Sequence, residues 1–548
     1  MHFGTHIHRY VHSDSLLWTL VGLAFLLRVA GISYGLPLTL IADEPPFILG
    51  ALQMLQSHTL VPSLHPELFK NILYYPPYLS YLYVLPFAAI AGATMATWQG
   101  TLDSLSTHFL ANLSPFFVAA RLISITLGAA SVFLIYRTAQ SLFTSRIAAG
   151  GAAFLLTTSL LHTGLSMTGR HWLPVSFLFL LVLYILTREH LQKNKRILLS
   201  CITVGVGVGI STIVVVALLP VGLWILFESK LRILNVLRDR LVWVSVGVLA
   251  LLAPLPTLLY NNSHNYLFGA LFVNNKTILG LLLSPVQALS ALAYAEPILV
   301  ILFLAGLVLL FLHNRQRFVW LSLFFLGYVI LFYFLTHIEP RFLLPLVPLY
   351  ALVGGYAIYW CTKQKIGVVF ICVLLCIPLC TSLRLSQLTL QDDTRTNARV
   401  WALESLTSQD KVLVYADLMR LPTNTESVAE LRALDPHAVR RIDDAEALVS
   451  RSTPHALNLH TLQNESFFTT LPLYAKTHGY TYLIYQPGMA NKEQEAAFTA
   501  LIASATEVGR WQGFGDTFSI SKSTFWSPLP YFFSNNSLGP TIVAYRLQ

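Results

Sequence analysis

Apolar runs of roughly 20 residues, the length of helix that spans a bilayer, recur along most of this chain. One extends from Leu16 to about Leu36, and others begin near Phe116, Ile147, Trp172, Ile197, Leu241, Ile298, Phe318, Phe342 and Ile366. Each is bounded by charges, Gly, Pro or Asn, so each reads as a membrane helix with defined ends. Charged residues make up only 11% of the 548-residue chain and hydrophobic residues 55%, against about 25% charged in an average protein. A mean hydropathy of +0.62 agrees. The chain is therefore read as a polytopic membrane protein, which excludes a secreted, cytosolic or disordered one. The net charge of +9 falls mostly in short clusters between apolar runs, where Lys and Arg orient a membrane protein and do not mark a nucleic-acid surface.

Those clusters set the topology. Arg137 and Arg146, then Arg188 to Arg196, then Lys230 to Arg240, then Arg315 and Arg317, then Lys363 and Lys365 form basic loops. All can be cytoplasmic only if the run from Ile197 to Phe227 crosses twice, as two short helices meeting near Ser211 and Thr212. The expectation is about eleven crossings, with the N-terminus cytoplasmic and the C-terminus outside. Tyr74 to Ala93 is rich in Tyr and interrupted by Pro76, Pro77 and Pro86. It is read as a helix lying among headgroups, within one large first external loop over residues 42–112.

From about Leu385 polar residues appear throughout. Val412 to Ala416, Tyr482 to Tyr485 and Thr541 to Tyr545 read as buried strands, and Ala398 to Leu406, Val428 to Leu434 and Glu493 to Ile502 as amphipathic helices. The expected division is a transmembrane part over 1–384 and an external α/β domain over 385–548.

Adjacent carboxylates at a membrane edge can act as a general base beside a second acid, and Asp43 and Glu44 directly follow the first apolar run. By themselves they better fit a loop start before Pro45, since two acidic residues beside Pro are common in loops. Arg341 lies in an external turn after Pro340, where a guanidinium suits phosphate oxygens or snorkels to headgroups as an anchor. Arg28, inside the first run, and Arg121, near the outer end of the second, fit either a strap to an acid or a direct phosphate contact. Tyr74, Tyr75, Tyr78 and Tyr81 suit a sugar-stacking surface or an aromatic belt.

The order Arg28, Asp43-Glu44, an amphipathic helix to about Gln56, then Tyr75-Pro76-Pro77-Tyr78 resembles the first external loop of the C-type integral-membrane glycosyltransferases. The protein O-mannosyltransferase and lipid A aminoarabinose transferase group is the nearest in kind. Ala120-Arg121-Leu122, Thr138 to Ser145, Pro340 to Pro345 and Asp393-Thr394-Arg395 extend the resemblance over most of the membrane part and into the tail. The resemblance implies a polyprenyl-phosphate sugar donor, a glycan, lipid or protein acceptor, and a catalytic base at Asp43 with Glu44 beside it. It also implies transfer with inversion at the outer face of a plasma membrane. The chain departs from the family at Gly169-Arg170-His171-Trp172, where a further Asp is usual, and at Thr212-Ile213, where Thr-Lys is usual. Arg170 and His171 are taken as partial replacements in substrate binding.

Other polar features carry less. His2, His6, His8 and His12 lack acidic or thiolate partners for a metal, and no cofactor or metal is expected. Cys201, Cys361, Cys372, Cys376 and Cys380 lie in or beside apolar segments without disulfide or zinc spacing, the last three being read as small packing residues. His264, Glu296, His337 and Glu339 read as external loop or interface residues. Sequons at Asn112, Asn261, Asn275, Asn464 and Asn535 agree with the external assignment. The rival readings are a transporter or flippase of lipid-linked substrates, which would carry ionisable residues near the midplane and symmetric halves, and an inactive transferase relative acting as a binding protein.

Overall fold

The computed structural model describes residues 14–548 apart from 42, 71, 74, 102–103, 106–107, 110–111, 229–237, 261–276, 336–338, 364, 440–446, 448–452, 463–464, 514–532 and 534–535. The four N-terminal histidines, Tyr74, His264, His337 and the sequons at Asn261, Asn275, Asn464 and Asn535 lie outside the described residues. The chain divides into two compact units. The first takes in residues through Ile32, Asp43–Ala88 and Ala119–Ser386; the second takes in Ser33–Ala42, Ala89–Val118 and Gln387–Gln548.

Helices dominate the first unit: α1 (Ser15–Val29), α2 (Pro45–Gln56), α3 (Tyr78–Thr97), α4 (Ser114–Phe143), α5 (Arg146–Thr157), α6 (Leu160–Ser166), α7 (Trp172–Leu186), α8 (Lys193–Val208), α9 (Leu218–Glu228), α10 (Arg240–Leu252), α11 (Ile278–Ala295), α12 (Pro297–His313), α13 (Arg315–Leu335), α14 (Val347–Cys361) and α15 (Lys365–Thr389). The C-terminal end of α3 and the N-terminal end of α4 belong to the second unit. Local chemistry sets several starts. Pro45 and Pro46 open α2, where the missing N–H is no loss. Ser145 and Ser159 accept first-turn amides of α5 and α6. Small residues from Ala148 to Ala153 let α5 press backbone to backbone on α14. A Cβ at Gly355 would stand 2.4 Å from the Ala148 carbonyl oxygen, so only glycine permits that approach.

By length and composition, helices over Tyr78–Thr97, Ser114–Phe143, Ile278–Ala295, Arg315–Phe334, Pro340–Cys361 and Gly367–Ser405 are able to cross a membrane, and α5 with α6 makes a seventh if that bent pair is one span. Shorter apolar helices include Ser15–Val29, Trp172–Leu186, Thr212–Glu228, Arg240–Leu252 and Pro297–His313. The run from Ile197 to Phe227 is broken, with α8 ending before Gly209 and a 3-10 turn over Thr212–Ala217 leading into α9. Two helices differ from the sequence reading. Tyr78–Thr97 is long enough to span despite Pro86, because a proline inside a helix removes one hydrogen bond without ending it. Ile278–Ala295, absent from the apolar runs read in the sequence, is a full apolar helix through Pro285. A third difference concerns Cys372, Cys376 and Cys380, which share an exposed face of α15 and do not pack between helices of this chain.

Most of the second unit is built on a five-stranded sheet of order β2-β1-β3-β5-β4, with β1 (Lys411–Tyr415), β2 (His455–Asn458), β3 (Tyr482–Tyr485), β4 (Thr506–Trp511) and β5 (Ile542–Arg546). The first three strands in that order are parallel and the rest antiparallel. Alternation along the strands divides the core between two faces. Leu413, Leu457, Leu483 and Tyr485 pack with α18 (Glu465–Thr477) and α19 (Lys492–Ile502), and Val412, Val414, Ala456, Ile484 and Ala544 pack with α16 (Thr394–Ser405). Asp393 caps α16 and holds Arg395 through two bonds of 2.8 and 3.0 Å, both side chains fully buried. The Tyr34 hydroxyl donates to the same carboxylate at 2.6 Å, which anchors the segment after α1.

A second polar hub joins α17 (Thr425–Leu434) to β2 and α18. Glu430 accepts from His455 Nε2 at 2.6 Å, the Tyr474 hydroxyl at 2.5 Å and the Tyr480 hydroxyl at 2.7 Å. Partial burial favours the protonated acid, but the three donors outweigh it and hold the carboxyl at about 2. Its folded pKa is thus below the unfolded value of about 4.3. The stabilisation is present above that value and is lost as pH falls toward 2. Amide exchange in β1 and β2 of the full-length protein is expected to rise over that window, and Glu430→Gln to remove the acid-dependent part. An unchanged acid profile in the variant would contradict the assignment.

Candidate functional site

Asp43 and Glu44 are adjacent in sequence and opposite in environment. Glu44 is fully buried and held by Arg121, with Nε to Oε1 and Nη2 to Oε2 both at 2.8 Å. Oε1 also accepts the Gly169 N–H at 2.7 Å, and Arg121 Nη1 donates to the Ile32 carbonyl at 2.9 Å. This fork-to-fork pair ties α4, the end of α1, the start of α2 and the loop after α6 into one knot. A Cβ at position 169 would lie 3.2 Å from Glu44 Oε1 and equally close to Ala120 Cβ, so glycine lets the loop approach the carboxylate. Of the two sequence alternatives for Arg121, the structure realises the strap. Glu44, expected beside the base, is fully buried in this pair.

Asp43 turns the other way because its backbone is left-handed, at φ 61°. Few residue types other than glycine take that conformation, and Asp is among the more tolerant. Its side chain is 31% exposed. Arg170 Nη2 donates to Asp43 Oδ2 at 2.6 Å, and Arg341 Nη1 lies 3.7 Å from the same oxygen. Arg341 also pairs with Glu339 at 2.7 Å, so two carboxylates and two guanidiniums balance in charge.

A wall of rings lines this group. Tyr75 stacks on Phe47 at 4.6 Å and leans on His171 at 5.0 Å; His171 lies against Trp172 at 4.5 Å, and Trp172 against Phe342 at 5.0 Å. The Arg341 guanidinium sits 4.9 Å over the Phe342 ring. Burial, with the Arg170 and Arg341 charges next, pushes the His171 imidazole well below its ordinary pKa, so it is neutral at pH 7. Among the described residues, Arg170 Nε, His171 Nδ1 and Trp172 Nε1 are buried without a hydrogen-bond partner. Unpaired buried polar atoms are unfavourable, and three in consecutive residues leave a row of nitrogens facing no protein acceptor.

The structure therefore brings together Asp43, Tyr75, Arg170, His171 and Arg341, puts Glu44 and Arg121 directly behind them, and leaves Arg28 elsewhere. Arg28 is fully buried at the bend between α5 and α6, bonded to backbone carbonyls and side chains. Sequence reasoning missed Phe47, whose position one turn into an amphipathic helix gives no sign of a stacking role. It also missed that Glu339 shares Arg341. Among the described residues no group of three or more His, Cys, Asp or Glu is placed to hold a metal ion.

A family model described as dolichyl-phosphate-mannose-protein mannosyltransferase matches residues 105–260. That stretch contains Arg121 and Gly169 to Trp172. The chain resembles the C-type membrane glycosyltransferases. No curated protein matches its sequence. Solved structures with a similar course include ArnT from Cupriavidus metallidurans bound to undecaprenyl phosphate, at 10% identity over 98% of each chain and a TM-score of 0.46. The archaeal oligosaccharyltransferase AglB from Archaeoglobus fulgidus, in complex with an inhibitory peptide and a dolichol-phosphate, is 14% identical over 95% of this chain and 75% of that one, at a TM-score of 0.47.

Within a chain of this resemblance the two neighbouring carboxylates separate by experiment. Glu44→Gln strands Arg121 in a buried site, and breaking a buried pair from one side destabilises by about 3–5 kcal/mol. The thermal midpoint in detergent is expected to fall clearly. An unchanged midpoint would show that the Glu44–Arg121 pair does not hold the loops.

Proposed function

We propose that the chain is a membrane glycosyltransferase that moves a sugar from a polyprenyl-phosphate donor to a hydroxyl of a lipid, glycan or protein acceptor. The observation that carries this reading is a partly exposed carboxylate, Asp43, faced by Arg170 and Arg341 in front of an aromatic wall. A sugar on a lipid phosphate already has a good leaving group. The protein must remove a proton from the acceptor hydroxyl and stabilise the departing phosphate. In this reading Asp43 takes the proton, the acceptor oxygen bonds to the anomeric carbon as the bond to the phosphate oxygen breaks, and the configuration inverts. Arg341 and the unpartnered nitrogens of Arg170, His171 and Trp172 receive the phosphate and sugar oxygens, while Tyr75 flanks the sugar ring. Arg170 Nη2 meanwhile keeps Asp43 oriented.

The same proposal includes about eleven crossings of a plasma membrane, a cytoplasmic N-terminus, and a transmembrane part over 1–384 carrying the first external loop 42–112. Residues 385–548 form the external domain. The basic loops between the apolar runs support that orientation.

Mass spectrometry of lipid carriers from cells with and without this protein tests the reading and names the donor, since loss of the transferase leaves its sugar-lipid to accumulate. With that donor and purified protein, Arg341→Lys is expected to retain part of the turnover and Arg341→Ala very little, because Lys keeps the charge without the planar fork. Full turnover by the Ala variant would reduce Arg341 to an interfacial anchor.

A further inference from the structure

Helices α5 and α6 are bent by 56° at a two-residue break, and a buried ionisable side chain stands on each side of it. Arg28 of α1 uses all five of its N–H donors. Nη1 bonds the Thr157 carbonyl at 3.3 Å and that of Ala24 at 2.9 Å. Nη2 bonds the Leu156 carbonyl at 3.1 Å and His162 Nδ1 at 2.9 Å, and Nε bonds Ser166 Oγ at 3.3 Å. A cation therefore closes the carbonyl end of α5. From the junction of α11 and α12, Glu296 Oε1 accepts the Ser159 hydroxyl and the Leu161 N–H, both at 2.7 Å. A carboxyl oxygen therefore closes the amide end of α6. Ser382 of α15 donates to the Thr158 carbonyl between them at 2.5 Å. The Arg28 cation matches the carbonyl end it meets, the Glu296 oxygen accepts at the amide end, and backbone groups freed by the break find partners, as the interior of a membrane bundle requires.

The consequence lies three residues beyond α6. Ser166 ends that helix, Gly169 donates to Glu44, and Arg170 donates to Asp43. The direction of α6 therefore decides where Arg170 and His171 stand. We propose that Glu296 and Arg28 are positioning residues, which fix the bend and so hold Arg170 and His171 at Asp43. This rests on the function proposed above. It makes Glu296 part of the transfer machinery without touching substrate, and it gives Arg28 a role at the bend in place of a lipid phosphate.

The test uses full-length protein in detergent, with Glu296→Ala, Glu296→Gln, Arg170→Ala and the double variant of Glu296→Ala with Arg170→Ala. Glu296→Ala is expected to lower kcat about tenfold or more with the acceptor KM unchanged, while Glu296→Gln, which keeps an oxygen for the Leu161 N–H, recovers most of it. Because Glu296 acts through Arg170, the double variant is expected to be no slower than Arg170→Ala alone. Amide exchange over residues 160–171 is expected to rise in Glu296→Ala and not in Glu296→Gln. If Glu296→Ala does not fold, Glu296→Asp, whose shorter side chain draws the carboxyl back from Ser159 and Leu161, is read in the same way. Wild-type kinetics in Glu296→Ala, losses that multiply in the double variant, or unchanged exchange over 160–171 would each overturn the proposal. Absence of any transfer by the wild type would instead refute the functional reading, and the exchange measurement would still decide the brace.

Discussion

Glu44 and Arg121 form a fully buried, doubly bonded ion pair, and the remaining geometry of the site is arranged around it. Removing two charges from solvent is expensive, and their attraction offsets this only when the geometry is good and the remaining polar atoms find partners. Here they do, through the Gly169 N–H and the Ile32 carbonyl. The pair thereby registers segments far apart in sequence, from the end of α1 to the loop after α6. Replacing one partner leaves a stranded charge, so the constraint is all-or-none in character.

That constraint explains why one of two neighbouring acids is buried and the other partly exposed. With Glu44 drawn inward, the chain must reverse at Asp43, whose left-handed backbone turns its carboxylate toward Arg170 and Arg341. The same glycine amide that satisfies Glu44 brings the next residue, Arg170, to Asp43. At Gly169-Arg170 the structure puts a cation against Asp43. Beside it His171 and Trp172, like Arg170, carry buried nitrogens without a hydrogen-bond partner among the described residues.

Much of this was legible in the sequence, for physical reasons. Apolar runs long enough to span a bilayer announce their helices whatever their partners, and the split at Ser211 and Thr212 followed from charge placement alone. Strands β1, β3 and β5 read correctly to within a residue at each end because buried parallel or central strands are nearly continuous in apolar residues. Strand β2, with His455 and Asn458 at its ends, and the exposed, bulged β4 carry no such signal. The sequence singled out Asp43, Tyr75, Arg170, His171 and Arg341 along with Glu44, Arg28 and Arg121, and the structure places the first five side by side. What the sequence left open was which acid faces inward, since that depends on Arg121 lying 77 positions away in the chain. Glu296 was passed over for the same reason, because its partners Ser159 and Leu161 come from a distant helix break.

The most direct test of the account measures donor binding and transfer together in Asp43→Asn, a change that keeps size and removes proton affinity. A general base contributes about 10² to 10⁴ in rate, so transfer from a polyprenyl-phosphate sugar should fall by that order. Binding of the same donor, held by Arg341 and Arg170, should persist at wild-type strength or better once the competing carboxylate charge is gone. Transfer at the wild-type rate by a stably folded Asp43→Asn protein would contradict the account, because no carboxylate at that position would then be taking the proton.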